Sequence, residues 1–176
     1  TTVQAIGRPE TSDYPLLRGK EVLLEAAVLD GRGQAFTNSP VTFAGSLQEV
    51  MDFDLDSNSQ RAIFIATVNA ALNHLGVANA TVHCKDSEPD QCGPEMARTI
   101  KKKYGLVPVG IVGYQPSIIA GCVQELGKGL IRVTDMDTKN LGMSRFGIEI
   151  WDGVTRTDEL IAKSDILLIT GTTFVN

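Results

Sequence analysis

The sequence predicts an α/β protein whose C-terminal part contains a parallel sheet. Three short apolar runs, at 107–113, 130–133 and 165–169, each end in polar or glycine residues. Helical stretches separate them, and strands that alternate with helices are typical of parallel strands joined by crossovers. Because the carboxyl ends of parallel strands meet at one edge of the sheet, where ligands bind in open α/β sheets, a small-molecule or ion site is predicted there.

The N-terminal part contains weaker patterns. Residues 21–29 are apolar enough for a strand, although their alanines and leucines leave a helix open. The following Asp30-Gly31-Arg32-Gly33 predicts a turn, and 34–43 a returning edge strand that Pro40 interrupts. A helical stretch is predicted over 47–53.

The middle of the chain predicts two helices and a short strand. Asn58 or Ser59 is the predicted N-cap of the first helix, which ends near Gly76, and a strand over 77–82 follows. The second begins with Pro94 as its first residue and ends before Gly105.

The pattern becomes βαβ beyond Gly105, so we predict two domains, 1–104 and 105–176. A crossover helix is predicted over 117–126, a shorter one over 158–162 with Thr157 as its N-cap, and an extra strand over 146–151.

Composition excludes several classes of function. The chain has 176 residues, a net charge of −5 and no long basic run, so neither nucleic acid nor a membrane is an expected partner. No apolar stretch approaches the roughly 20 residues of a membrane-spanning helix, and the N-terminus lacks a signal-peptide pattern. Three widely spaced cysteines suit a reducing compartment, so a cytoplasmic location is predicted.

The turn after the first run of the C-terminal part is a candidate ligand site. Gly113 is followed by Tyr114, Gln115 and Pro116, which does not match the G-x-G-x-x-G dinucleotide fingerprint. One interpretation is that Gln115 and the amides near Ser117 bind a polar ligand at a helix N-terminus. The other is an ordinary strand-to-helix turn with proline at its first helical position.

Carboxylates and hydroxyls follow the other two runs. Asp135 lies where nucleotide-binding domains place a ribose-binding acid, and with Asp137 it forms a pair able to hold a cation, although Asp is also common in turns. We expect Asp135→Asn to weaken ligand binding with little loss of fold stability. The loop Thr170-Gly171-Thr172-Thr173 suits contacts to phosphate, carboxylate or metal-bound groups, or is a hydroxyl-capped loop.

His83, Cys84 and Cys92 form a second candidate metal site. Imidazole and thiolate are ligands for zinc, copper or nickel, but no C-x-x-C pair is present. The alternative is a loop with ordinary cytoplasmic thiols.

Three stretches carry a family resemblance: 66–73, Gly113-Tyr114-Gln115-Pro116 with 133–137, and 164–176. Together they resemble the family described as heavy-metal chelation domains. The resemblance implies an enolase-like N-terminal α/β part, a small Rossmann-like parallel sheet of three or four strands, and a pocket at the domain junction. It implies a ligand-binding set of Asn69, Gln115, Asp135, Thr170, Gly171, Thr172 and Thr173. Longer members continue past 170–176, so an exposed sheet edge is expected, which a partner chain or the N-terminal domain must cover; a homo-oligomer is the expected assembly.

The leading interpretation is a protein that binds a divalent or transition metal ion, or a metal-chelating small molecule, at the domain junction. The alternatives are a Rossmann-like enzyme that binds a nucleotide-type cofactor and a non-catalytic oligomeric assembly protein. Asn69 interrupts an apolar helical stretch, so it is expected to face the junction and, if buried, to form a hydrogen bond.

Overall fold

The computed structural model describes residues 1–6, 21–78 and 88–176, and of residues 3–6 and 88–91 the backbone alone. The chain divides into two compact units, Thr1–His83 with Phe174–Asn176, and Cys84–Thr173. The predicted boundary lay between residues 104 and 105. The units divide elsewhere because the helix Glu88–Tyr104 packs against Pro116–Leu126 of the second unit.

The first unit contains an antiparallel sheet in the order β3-β2-β1-β4. Its strands are β1 (Thr2–Ile6), β2 (Val22–Val28), β3 (Gly31–Thr37) and β4 (Phe43–Ala44). Burial alternates along β2 and β3, as in a sheet with one face on the core. The strand predicted over 21–29 is confirmed as β2, and β3 is an edge strand as expected. It begins at Gly31 because the turn is made by Leu29, with φ of 55°, and Asp30.

Two helices follow this sheet, α1 (Leu47–Met51) and α2 (Asn58–His74). The N-cap of α2 is Ser57, one residue before the predicted cap, and its hydroxyl accepts from the Gln60 amide at 3.2 Å. The helix lies directly on β3. A Cβ placed on Gly33 would be 2.0 Å from the Ala70 nitrogen, so the contact requires glycine.

The second unit contains a five-stranded sheet in the order β7-β8-β6-β5-β9. Its strands are β5 (Val109–Val112), β6 (Ile131–Asp135), β7 (Ser144–Arg145), β8 (Ile148–Asp152) and β9 (Ile166–Ile169). All neighbouring pairs are parallel except β7 with β8. The mixed α/β class and the parallel arrangement of the three predicted runs are therefore confirmed, and β8 is the predicted extra strand.

Helices cover both faces of this sheet: α3 (Glu88–Tyr104), α4 (Pro116–Leu126) and α5 (Gly153–Ala162). The alternation along β5 shows which helix covers which face. Val109 and Ile111 share a core cluster with residues of α3 and α4, whereas a Cβ on Gly110 would lie 2.4 Å from Leu160 of α5. The three layers are thus α3 and α4, the sheet, and α5.

Two helix starts differ from the predictions. α3 begins at Glu88, so Pro94 lies inside the helix and is not its first residue. α5 begins at Gly153, because the Asp152 side chain caps it by accepting from the Val154 amide at 2.8 Å. Thr157, the predicted cap, lies inside α5 and donates its hydroxyl to the Gly153 carbonyl at 2.7 Å.

Candidate functional site

The second unit has its topological switch point between β5 and β9. The chain passes from β5 to β6 and β8 on one side and then returns to place β9 on the other side of β5. Crevices beyond the carboxyl ends of strands at such a point are the usual ligand sites of open α/β sheets. The two strand ends are joined by the Thr170 amide, which donates to the Val112 carbonyl at 3.1 Å.

Gly113 lets the two loops approach closely. Its φ is 95°, a left-handed conformation that favours glycine, and a Cβ there would lie 2.4 Å from the Thr170 hydroxyl oxygen. The Gly113 amide donates to the Thr134 carbonyl at 2.8 Å, which also ties this turn to the end of β6. The turn after β5 is therefore fixed from both neighbouring strands.

Three hydroxyls cluster in the loop after β9. The Thr170 oxygen lies 3.1 Å from that of Thr172 and 3.0 Å from that of Thr173. Thr170 and Thr172 are half-buried and Thr173 is exposed, while nothing lies within 4 Å of a Cβ placed on Gly171. A hydroxyl both donates and accepts, so this cluster can turn donors outward to a ligand.

The N-terminus of α4 lies at the end of the same strand, β5. Gln115 is the N-cap, and its side chain forms no capping hydrogen bond. Pro116 has no amide hydrogen, and the first amide that bonds back is that of Ile119, to the Gln115 carbonyl at 3.0 Å. The amides of Ser117 and Ile118 therefore have no partner within the helix, as is usual at a helix start. The half-buried Gln115 side chain adds an uncommitted amide beside them.

The Asp135 carboxylate stabilises the turn after β5 and the loop after β6 by accepting hydrogen bonds from both. One carboxylate oxygen accepts from the Tyr114 amide at 2.6 Å, and the other accepts from the Asp137 amide at 2.7 Å and from Asn140 Nδ2 at 3.2 Å. A Cβ on Gly153 would lie 3.0 Å from the Asp135 backbone, so the start of α5 packs against the same residue. Three of the roughly four acceptor positions of a carboxylate are thus filled internally.

The predicted metal ligands form no group of three or more in the described part of the chain. Asp137 is exposed, and its carboxylate accepts from the Lys139 amide at 3.0 Å. Among residues 1–6, 21–78 and 88–176, no three His, Cys, Asp or Glu side chains group so that they could hold a metal ion. His83 and Cys84 lie outside the described residues, and Cys92 is half-buried on α3.

Asn69 belongs to the first unit and interacts with the edge strand. It is exposed, and its Nδ2 donates to the Gln34 carbonyl of β3 at 3.0 Å. One helical turn later, Asn73 Oδ1 accepts from the Arg32 amide at 3.0 Å. Two helix asparagines therefore occupy outward backbone groups of β3, which is a way of protecting a sheet edge.

Sequence reasoning missed the partners that organise the site. Nothing in the sequence pattern distinguishes Asn140 from other asparagines in turns. Tyr114 contributes its backbone amide, so its residue type gives no signal. Gly153 had a detectable signal, because Asp-Gly after a strand is a common cap and helix start.

No helix in the described parts of the chain is long and apolar enough to span a membrane.

Comparison with known protein families, curated proteins and solved structures gives no match to this chain. The candidate site offers uncharged donors from α4 and from the threonine loop, and a carboxylate already engaged by internal donors. Such a surface is suited to oxygen atoms that carry negative charge.

Proposed function

We propose that the chain binds a small metal-chelating molecule, rich in carboxylate or hydroxyl oxygens, beyond the carboxyl ends of β5 and β9. The observation that carries the proposal is the set of donors at the switch point. The Gln115 side chain and the Ser117 amide have no partner within the helix, and the Thr172 hydroxyl lies 3.1 Å from that of Thr170, in a cluster that can turn a donor outward. Helix N-termini favour anionic groups because their free amides donate hydrogen bonds and the helix dipole places its positive end there. This site belongs to the second unit alone.

A chelated metal agrees with these contacts better than a bare ion. A bare cation needs several free oxygen or nitrogen ligands. Asp135 accepts three hydrogen bonds, and Asp137 accepts one from Lys139. A chelator would bring its own metal ligands and use its outer oxygens for the donors of the protein.

A nucleotide-type cofactor has less support. Asp135 occupies the position of a ribose-binding acid, but its oxygens are engaged by Tyr114, Asp137 and Asn140. The Thr170 side chain contacts Gly113, where the Rossmann fingerprint requires open backbone for a pyrophosphate.

Calorimetric titration tests the proposal. Citrate, Ni²⁺-citrate, Ni²⁺ alone and AMP are each titrated into the wild type and into the Gln115→Ala and Thr172→Val variants. Loss of one hydrogen bond should weaken citrate or Ni²⁺-citrate binding by about two- to tenfold. Gln124→Ala, an exposed glutamine on the same helix, is the matched control and should bind as the wild type does. Saturable binding of AMP alone would favour the nucleotide alternative.

The remaining parts of the proposal concern the whole protein. They are an enolase-like first unit, a homo-oligomeric state and a cytoplasmic location. The enolase-like first unit is supported by its antiparallel sheet followed by helices. The homo-oligomeric state is supported by the edge position of β9, where Leu167 is 36% and Ile169 45% exposed. Native mass spectrometry with elemental analysis of the purified protein would report bound metal, bound ligand and subunit number together.

A further inference from the structure

The second unit carries a row of cations at the sheet edge opposite the candidate site. Its parallel strands all begin at this edge, here called the amino edge: β5 at Val109, β6 at Ile131, β8 at Ile148 and β9 at Ile166. The helices α3, α4 and α5 each end a few residues before one of these strands, so their last residues lie along the same edge. The cations are Lys102 and Lys103 at the end of α3, Lys128 before β6 and Arg145 before β8.

Contacts within the unit show that the strand starts are neighbours. A Cβ on Gly147, in the hairpin before β8, would lie 3.6 Å from Lys128 Cδ. The Asp165 amide, before β9, donates to the Pro108 carbonyl, before β5, at 2.9 Å. The strand order β8-β6-β5-β9 therefore sets the four cations along one edge.

The positive charge of these four cations is not compensated by ion pairs. All four are exposed, and none forms an ion pair among the residues that the structure describes. Glu125, near the end of α4, pairs with Arg98 at 3.7 Å and Lys101 at 4.0 Å, and Asp165 is exposed. Although the chain as a whole carries −5, folding separates its charges, because β6 and β8 end in aspartate at the opposite edge. The amino edge is thus suited to an anionic partner.

Exposed apolar side chains lie among these cations. Leu106 is 63%, Phe146 50% and Tyr104 48% exposed. Phe146, with φ of 53°, and Gly147, with φ of 75°, form the two-residue turn between β7 and β8. Left-handed turns of this kind favour Asn, Asp or Gly, and an aromatic residue is unfavourable there. Neither the turn nor the core therefore accounts for a phenylalanine at this tip.

We propose that the amino edge of the second unit binds the surface of an anionic membrane. The four unpaired cations contact acidic phospholipid headgroups, and the three apolar side chains enter the layer between headgroups and acyl chains. Separate exposed side chains suit a fluid lipid surface, whereas the anchors of a protein interface fill pockets. Leu106 offers no face for stacking on a base, which argues against nucleic acid. Binding here is independent of the ligand site beyond β5 and β9.

Co-sedimentation of the full chain with lipid vesicles tests this surface. Mixed vesicles of phosphatidylcholine and phosphatidylserine in equal amounts should bind the chain far better than phosphatidylcholine alone, and added salt should weaken the binding. The double variant Lys102→Gln with Lys103→Gln should bind about tenfold or more weakly, because each basic residue near the surface contributes about fivefold. Lys139→Gln, which removes an exposed lysine after β6, is the matched control and should bind as the wild type does.

Phe146→Asn tests the apolar contribution. Asn suits a left-handed turn, so the variant should fold at least as stably as the wild type and still bind mixed vesicles about fivefold or more weakly. Leu29→Asn is its matched control, because Leu29 is an exposed residue with a φ of 55° in a turn of the first unit. This control should leave vesicle binding unchanged.

Two results would overturn the proposal. The first is that the wild type does not bind mixed vesicles, whether or not it binds single-stranded poly(U), which would assign the edge to nucleic acid. The second is that the Lys102/Lys103 and Phe146 variants, folded by their thermal melts, bind mixed vesicles as tightly as their controls do.

Discussion

At the scale of single residues, the part played by Asp135 is the main change that the structure brings. A carboxylate after a strand suggests a ligand contact, and replacing it with Asn was expected to leave stability nearly unchanged. The structure instead gives it three internal donors, from Tyr114, Asp137 and Asn140. Asp135 therefore positions the turn after β5, and its effect on binding is indirect.

Asp135→Asn should destabilise the second unit by about 1–3 kcal/mol. The carboxamide has one oxygen, so its NH₂ group must face either the Tyr114 amide or the Asp137 amide. Urea unfolding measures the loss. Asp137→Asn removes the same charge but keeps an oxygen for the Lys139 amide, so it should cost far less. Equal losses for the two variants would show that charge, and not the hydrogen bonds, is what matters.

A second residue-scale feature is the ion pairing of Glu159 on α5. Its carboxylate accepts from Arg156 Nε at 2.9 Å and Lys163 Nζ at 2.7 Å, and Arg156 also stacks on Trp151 at 3.5 Å. The hydrogen bond from Arg156, followed by that from Lys163, lowers the pKa of Glu159 to about 2.

The stabilisation from a lowered carboxyl pKa is complete above the ordinary value of 4.5 and is lost as pH falls through about 2. Glu159→Gln should therefore lower Tm at pH 7, and the difference from the wild type should shrink between pH 4.5 and pH 2. Thermal melts across this range measure it, with the exposed Glu95→Gln as control. A Tm difference that does not change with pH would contradict the ion-pair explanation.

At the scale of elements, the packing of α2 on β3 depends on glycines that a turn pattern does not explain. The sequence identified Gly31 and Gly33 as parts of a turn, yet both lie in β3 under α2. Hydrophobic periodicity predicted that a helix exists here, but no periodicity reports that its backbone touches a strand.

Gly33→Ala should destabilise the first unit by about 1–3 kcal/mol or more, because its Cβ would lie 2.0 Å from the Ala70 nitrogen and 2.3 Å from the Ala66 carbonyl oxygen. Denaturant unfolding measures the change. At Gly129 a Cβ would meet nothing within 4 Å, so Gly129→Ala is the control and should be nearly neutral. A neutral Gly33→Ala would mean that α2 shifts away from β3 without cost.

The elements also show where local sequence patterns lose their predictive value. The parallel strands β5, β6 and β9 were predictable because each is a short run rich in Val, Ile or Leu that lies between helical stretches. The start of α5 was missed because Gly153 and Val154 have poor helix propensity, which the Asp152 cap offsets. α3 continues through Pro94, which a local rule treats as a start or a break.

At the scale of the whole molecule, the chain leaves the first unit, forms the second and returns. The return places Val175 in a core assembled from residues more than a hundred positions earlier. Sequence patterns predicted the polar ends of the strands, and parallel topology brings Gln115 and Thr172 to the same sheet edge. Sequence patterns could not predict the contact of Arg61 with Val175 or that of Asp135 with Tyr114, because these partners lie 114 and 21 positions away in the chain.

The central claim is that donors beyond β5 and β9 bind an oxygen-rich chelator. The most direct test is a titration of ¹⁵N-labelled protein with citrate, in the presence and absence of Ni²⁺, followed by NMR. The account predicts saturable shifts of the Ser117, Ile118 and Thr172 amides, with weaker affinity in Gln115→Ala and unchanged affinity in Gln124→Ala. Saturable shifts confined to other parts of the chain, or none at all, would contradict it.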